Sequence, residues 1–400
     1  LEGHFFKRGC TCDSGNCKCN KKWTYVIDVG INPKNGKRKQ KTKGGFKTEH
    51  EAQIAAEVYL AKIKNGVSIE NAEIQFKDFT QDWLTYYIDR NAPKPGSIDN
   101  RQYSINKLMP YFAFQKVKDV TKDSYQEALN DLKSQHLSGS TLEGIHTTGK
   151  MIFNFAKSEK ILNENPTTYA FIKKDQKTII DDGEEVPNFF EKDELLLFID
   201  TIQEKRLYMD DLIFTILAYT GMRVGELVSL KWKDIDIINH TISITKTYYN
   251  KKNNTITYKL IPPKTHKSRR KIPVAELVIE KLREHKKVQE KVITCYGNSY
   301  RDEGFIFANI NRYPSYPILL KLIQNRMTRL LKLGGVNTEL TPHSLRHTHT
   351  SLLAQAGATL EEIMIRLGHC NAETTRKVYL HVTNEVKRAT SDKFSKLLQS

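Results

Sequence analysis

The run Asp181-Asp182-Gly183-Glu184-Glu185-Val186-Pro187 most constrains how this chain can fold. Four carboxylates repel one another, a glycine loosens the backbone between them, and Pro187 removes a donor, so neither helix nor strand continues through it. It lies near the middle of 400 residues, a length that exceeds what one hydrophobic core organises. The expected divisions are 1–66, 75–175 and 187–400. With 39% hydrophobic residues each part can bury a core. The longest apolar candidate, Leu212 to Tyr219, is far short of a membrane span and reads as buried helix. No secretory signal is expected, and since the chain does not begin with Met, Leu1 to His4 receives no structural weight.

A net charge of +17 points to a polyanionic partner. The surplus is uneven: residues 1–66 carry 14 Lys or Arg against 6 Asp or Glu. Those charges sit among strand-forming residues, which favours nucleic-acid binding over a solvated tail. Trp23 to Val29 loosely alternates as a strand, Asn32-Pro33-Lys34-Asn35-Gly36 is a turn, and Lys37 to Lys43 returns as a basic strand. Thr48 then caps a helix to about Lys64, whose inner face is Ala52, Ala55, Ala56, Tyr59, Leu60 and Ile63. Basic strands of this kind can enter a major groove. The candidate DNA contacts are Tyr25, Lys37, Arg38, Lys39, Lys41 and Lys43. Cys10, Cys12, Cys17 and Cys19 crowd one short segment, and either enclose a structural zinc or stay as four reduced thiols.

Residues 75–175 show helical spacing in Phe79, Trp83, Tyr86, Tyr87 and again in Ile152, Phe153, Phe155, Ala156. Gly144-Ile145-His146-Thr147-Thr148-Gly149-Lys150-Met151 nearly spells a phosphate loop, but Met151 stands where a magnesium-holding hydroxyl is required and no strand precedes it, so that reading is rejected. Beyond the acidic run come helices near 191–204, 208–220 and 223–230, then strands at Ile242–Tyr249 and Thr255–Ile261. A third strand follows within Pro263-Lys264-Thr265-His266-Lys267-Ser268-Arg269-Arg270-Lys271-Ile272-Pro273. Pro342 starts a helix that puts His343 and Arg346 one turn apart, and Gly368 ends the next, leaving His369 at its terminus. His347 is expected to pack or hydrogen-bond, and His349 to be exposed.

Five pieces stand in order: Gly221-Met222-Arg223-Val224-Gly225-Glu226-Leu227, Pro263-Lys264-Thr265, His343-Ser344-Leu345-Arg346-His347-Thr348, Leu367-Gly368-His369 and Tyr379. In these the last 210 or so residues resemble the catalytic domain of tyrosine recombinases, the integrase family of phages and conjugative transposons. The first segment resembles that family's arm-type DNA-binding domain. The resemblance implies a mainly α, multidomain chain with small β-sheets: an arm-binding sheet-plus-helix module, a helical core-binding domain and an α+β catalytic domain. It implies metal- and ATP-independent cleavage and rejoining of double-stranded DNA at core and arm sites through a 3′-phosphotyrosyl intermediate. A homotetramer on a Holliday junction, a directionality factor, a DNA-bending protein and a cytoplasmic, nucleoid-associated setting go with it; a membrane does not.

The residue types suit that chemistry. Arg223 and Arg346 each offer a permanently charged fork for the non-bridging oxygens of a phosphodiester, and His369 adds a hydrogen bond. The Tyr379 phenol is the nucleophile and needs a base, for which His343 is the candidate. Lys264, by resemblance, protonates the departing sugar oxygen. Glu226 orients its neighbours. Tyr313 and Tyr316, beside prolines and before the His-x-x-Arg box, are assigned to loop packing. Two rivals remain open: a type IB topoisomerase, which shares such a residue set, and a non-catalytic DNA-binding accessory protein.

Overall fold

The computed structural model describes residues 3–12, 19–31, 38–64, 73–173, 188–263, 268–310, 313–368, 373 and 375–382. Contacts divide the chain into two units, Leu1–Lys177 and Thr178–Ser400. The acidic run 181–187 lies outside the described residues.

In the first unit, β1 (Gly3–Lys7), β2 (Trp23–Ile31) and β3 (Arg38–Phe46) form an antiparallel sheet in that order, backed by α1 (Glu49–Lys64). The Thr48 hydroxyl accepts from the Glu51 amide at 3.1 Å, as a helix cap should. Tyr25, Ile27, Ala52 and Ala56 are the buried apolar core, with Phe5, Trp23, Phe46 and Tyr59 around them. Two expectations need correction here. Gly3–Lys7 is a strand paired along its length with β2, so His4 belongs to the fold. Tyr25 is not a surface residue available to DNA: it is 1% exposed and stacks near Phe46, because that side of β2 faces α1.

Register refines the basic strand. Tyr25 pairs with Lys43 and Ile27 with Lys41, so these lysines leave the sheet on the α1 side, where they remain exposed. The opposite face carries Val26, Asp28, Gln40 and Thr42. Arg38 is exposed and lies 3.9 Å from Asp28. Lys37 and the Lys39 side chain lie outside the described residues.

A second core in this unit is built by α2 (Phe76–Asn91), α3 (Pro95–Phe112), α4 (Lys122–Ser134) and α5 (Gly139–Ser158). Phe76, Phe112, Tyr125 and Phe153 meet ring to ring at its centre, and Phe79 and Trp83 are buried beside them. The near-phosphate-loop 144–151 is interior turns of α5, which removes any loop that could cradle a nucleotide.

The second unit interleaves helices with two small sheets. Helices α6 (Lys192–Lys205), α7 (Asp210–Thr220), α8 (Val224–Val228), α9 (Glu276–Tyr296), α10 (Leu320–Leu333) and α11 (Ser344–Gln355) surround one core that includes Phe198, Phe214, Ile216, Leu217, Ile279, Met327 and Leu345. Strands β4 (Ile235–Asp236), β5 (Thr241–Ile244) and β8 (Arg270–Pro273) form one antiparallel sheet, while β6 (Thr247–Tyr249) pairs with β7 (Lys259–Ile261). The single strand expected over 242–249 is thus two strands serving different sheets. The chain then runs through α12 (Leu360–Leu367) into helical residues 375–382, which share a smaller cluster of Ala354, Ile363, Leu367 and Val382. No helix among the described residues is long and apolar enough to cross a membrane.

Candidate phosphodiester-cleaving site

The site grows from the break between α7 and α8. Gly221 caps α7 with φ of 60°, a conformation that favours glycine. A Cβ there would also fall 2.7 Å from Leu367 Cδ2 and 2.8 Å from His349 Cδ2, so glycine alone lets α7, α11 and α12 close together. The sharp turn delivers Arg223 as the residue before α8. Its amide donates to Glu226 Oε2 at 3.1 Å and its Nη1 to Glu226 Oε1 at 3.0 Å. The Arg223 side chain is 36% exposed and Glu226 only 2%. One charge is thus presented while the other is buried beneath it.

Arg270, on β8, grips the same carboxylate from the other side. Its Nη2 lies 3.0 Å from Oε2 and its Nη1 3.4 Å from Oε1. Burial raises the Glu226 carboxyl, but Arg270 and Arg223 outweigh it and hold the group below its usual pKa. Glu226 is therefore a fixed anion between two guanidiniums.

Arg346 enters from α11 and is 1% exposed. Its Nη1 donates to the Gly221 carbonyl at 2.5 Å and its Nη2 to the Leu367 carbonyl at 2.7 Å. One fork thereby ties the turn before Arg223 to the last turn of α12. Burial, with Arg223 adding repulsion, pushes its pKa down to about 9, which leaves it charged at neutral pH. His343 stands one turn earlier at the start of α11, open to solvent on one side. Protein crowding on its other side, then Arg346 and Arg223, lowers its pKa, so the ring is neutral near pH 7 and able to take a proton.

His347 packs edge-on against His343, with ring centres 4.8 Å apart. His349 corrects an expectation: it is 8% exposed, not on the surface. Its Nδ1 lies 2.9 Å from the Ala218 carbonyl, and its Nε2 accepts from Arg366 Nε at 2.9 Å. That pairing requires a neutral ring with hydrogen on Nδ1. Burial, then Arg366, keeps it so by pushing its pKa to about 4.

Tyr379 lies on the helical segment 375–382, half-buried against the cluster that contains Leu367. The tyrosine and the Arg346-bound end of α12 therefore share one small core. Lys264 and His369 lie outside the described residues. Tyr313 and Tyr316 contact each other edge-on, with ring centres 6.3 Å apart.

Sequence reading missed Arg270, hidden in a basic run. A signal for it existed: along 268–273 residues Ser268, Arg270 and Ile272 turn inward while Arg269, Lys271 and Pro273 are exposed. The period of two, anchored on Ile272, separates the structural arginine from its solvated neighbours.

A profile described as the phage integrase family matches residues 188–385, one described as an arm DNA-binding domain matches 16–63, and one described as a phage integrase N-terminal SAM-like domain matches 75–133. The integrase of Staphylococcus phage L54a is 29% identical over 351 residues, covering 84% of this chain and 97% of that protein. A XerC-like tyrosine recombinase of Caldanaerobacter subterraneus subsp. tengcongensis is 28% identical over 391 residues, covering 92% and 95%. Among solved structures, the Tn1549 transposon integrase in complex with transposon right-end DNA superposes with a TM-score of 0.62 at 22% identity. That match covers 80% of this chain and all of the other.

Proposed function

The chain belongs to the phage integrase family of tyrosine recombinases, site-specific DNA integrases, and from that premise we propose how its own residues divide the work. Three parts act on DNA: residues 1–66 hold accessory arm sites, 75–175 and 187–400 hold the crossover duplex. The Tyr379 hydroxyl attacks a backbone phosphorus; its oxygen–phosphorus bond forms as the bond to the 5′-oxygen breaks. His343 takes the phenolic proton and Lys264 gives one to the departing 5′-oxygen. Arg223 and Arg346, with His369, carry the charge on the non-bridging oxygens. The phosphotyrosyl ester stores about the energy of the bond it replaces, so the freed 5′-hydroxyl of a partner strand reverses the step without a nucleotide.

The observation that carries this reading is the Arg346–Gly221 bond, which places the second guanidinium against the turn that delivers the first. The test uses nicked duplexes taken from the sequence flanking the chain's own coding region. Wild-type protein is expected to yield a denaturation-resistant DNA adduct and Tyr379→Phe none. An adduct of equal yield from Tyr379→Phe would remove that residue as the nucleophile.

In the N-terminal module, Arg38, Lys41 and Lys43 neutralise phosphates, while Gln40 and Thr42, on the sheet face turned from α1, meet base edges in the major groove. The Cys10, Cys12 and Cys19 sulfurs lie within 4.8 Å of one another, Cys10 and Cys19 at 3.5 Å. Thiolates around tetrahedral zinc, at about 2.3 Å from the ion, sit roughly 3.8 Å apart, so these three fit a zinc; Cys17 lies outside the described residues. Such an ion would staple β1 to β2 and supply no chemistry to cleavage. Elemental analysis should find about one zinc per chain, and its absence from protein prepared with zinc would refute the site. On DNA the protein acts as a homotetramer with a directionality factor and a bending protein, in the cytoplasm at the nucleoid.

A further inference from the structure

Arg270 takes no part in the scheme above, yet its whole guanidinium is directed at parts of the site. Besides its two bonds to Glu226, Nε donates to the Arg366 carbonyl at 2.8 Å and Nη1 to the Ser268 carbonyl at 3.1 Å. The end of α12 receives three donors from elsewhere: Arg270 on the Arg366 carbonyl, Arg346 on Leu367, and the Ser268 hydroxyl on Gly368 at 3.3 Å. Carbonyls at a helix C-terminus lack intrahelical partners and carry partial negative charge, so cationic forks suit them.

We propose that Arg270 is the positioning residue of the site, holding Arg223 through Glu226 while locking strand β8 to the end of α12. This rests on the cleavage reading above. The guanidinium is planar and its donors have fixed directions, so Glu226 and the Arg366 carbonyl cannot shift independently while both are bound. Glu226 in turn binds both the backbone and the side chain of Arg223. Three elements distant in sequence, α8, β8 and α12, thereby acquire one geometry. Stability alone accounts poorly for this arrangement, since burying guanidinium and carboxylate costs desolvation that apolar side chains of similar size avoid.

The test measures covalent capture by full-length protein on the flanking-sequence duplex that wild type captures. Arg270→Gln is expected to slow capture about 100-fold, the scale of a small misplacement of reacting groups, with duplex affinity within about threefold. Its capture rate should also fall off at higher pH than wild type on the acid side, because Glu226 has lost the counter-charge that lowers it most. Arg270→Lys, which keeps charge without the fork, should restore the acid limb but only part of the rate. Glu226→Gln with Arg270→Gln should be no slower than Glu226→Gln alone. Additive losses in that pair, or a wild-type rate in Arg270→Gln, would overturn the assignment. Should Arg270→Gln fail to fold by circular dichroism, Arg270→Lys alone and combined with Glu226→Gln decides by the same non-additivity. Absence of capture by wild type counts against the cleavage reading instead, which keeps the two failures apart.

Discussion

The two ends of this molecule handle positive charge in opposite ways. In the C-terminal unit Arg346 is 1% exposed, Arg270 7% and Glu226 2%, each bound by named partners on other elements. In the N-terminal module Arg38 is 83% exposed, and Lys41 and Lys43 also face solvent. Buried charges surrendered hydration during folding, so in the proposed scheme Arg346 meets a phosphate already aimed, while Glu226 and Arg270 stay fixed behind Arg223 and leave little reorganisation for the moment of reaction. Exposed lysines keep their water and mobility, and attract any phosphate through counterion release. Chemistry needs the first arrangement; searching for and holding a duplex needs only the second.

The sharpest way to break the contrast is at Arg346. Arg346→Lys keeps the charge but cannot reach the Gly221 and Leu367 carbonyls with one planar fork. Capture of the nicked duplex should fall about 1000-fold, as when a transition-state donor is removed, while duplex affinity stays within a few-fold. Parallel rate and gel-shift measurements check it. An equal loss in both would make Arg346 a binding residue like those of the N-terminal sheet.

Removal of the zinc proposed for Cys10, Cys12 and Cys19 probes the other end. The N-terminal module buries only Tyr25, Ile27, Ala52 and Ala56 as its described apolar core, and so small a core ordinarily needs a staple. A zinc chelator should therefore abolish an early melting transition and arm-site binding, leaving capture on the flanking-sequence duplex within about twofold. Loss of capture in step with the metal would erase the division between the two ends.

How much of this was legible beforehand follows the same divide. A rare order of residue types singles out Arg223, Glu226, Lys264, His343, Arg346, His369 and Tyr379 as candidates without knowledge of packing. Arg270 and His349 do not stand out in this way, because burial decides their surroundings: the sequence shows Arg270 as one more base in a basic run and predicts a surface position for His349. Tyr25 failed in the opposite sense. Aromatic residues among lysines suggest nucleic acid, but only the pairing of β2 and the position of α1 decide which side of the strand meets water. The missing Met takes weight from Leu1 to His4 in the sequence, and only the pairing with β2 shows Gly3–Lys7 to be a strand.

Buried histidines should also give the C-terminal unit an acid sensitivity that the lysine-rich sheet lacks. With His349 displaced from the usual 6.5 to about 4 in the fold, its contribution is complete above pH 6.5. As pH falls toward about 4 the unfolded chain binds a proton that the folded chain refuses. Stability of on the order of 3 kcal/mol is lost across that window. His349→Gln, whose amide can still donate to Ala218 and accept from Arg366, should flatten the dependence in denaturant titrations at pH 7 and pH 5. An unchanged slope would mean that His349 is protonated in the fold.

The smallest expected effect separates two faces of one strand. Lys41 and Lys43 leave β3 on the α1 side, Gln40 and Thr42 on the other. In the proposed arrangement, phosphate contacts by the lysines contribute affinity without sequence, each adding about 0.9 to the slope of log affinity against log salt. Lys41→Ala with Lys43→Ala should therefore lower that slope by about 2 on every duplex tried. Gln40→Ala should leave the slope alone and reduce only the preference for the arm sequence, by about 1–3 kcal/mol if a bidentate contact to adenine is lost. Salt titrations on an arm duplex and a scrambled one distinguish them. If the glutamine changes the slope, or the lysines change the preference, the assignment of Lys41 and Lys43 to phosphates and of Gln40 to bases is overturned.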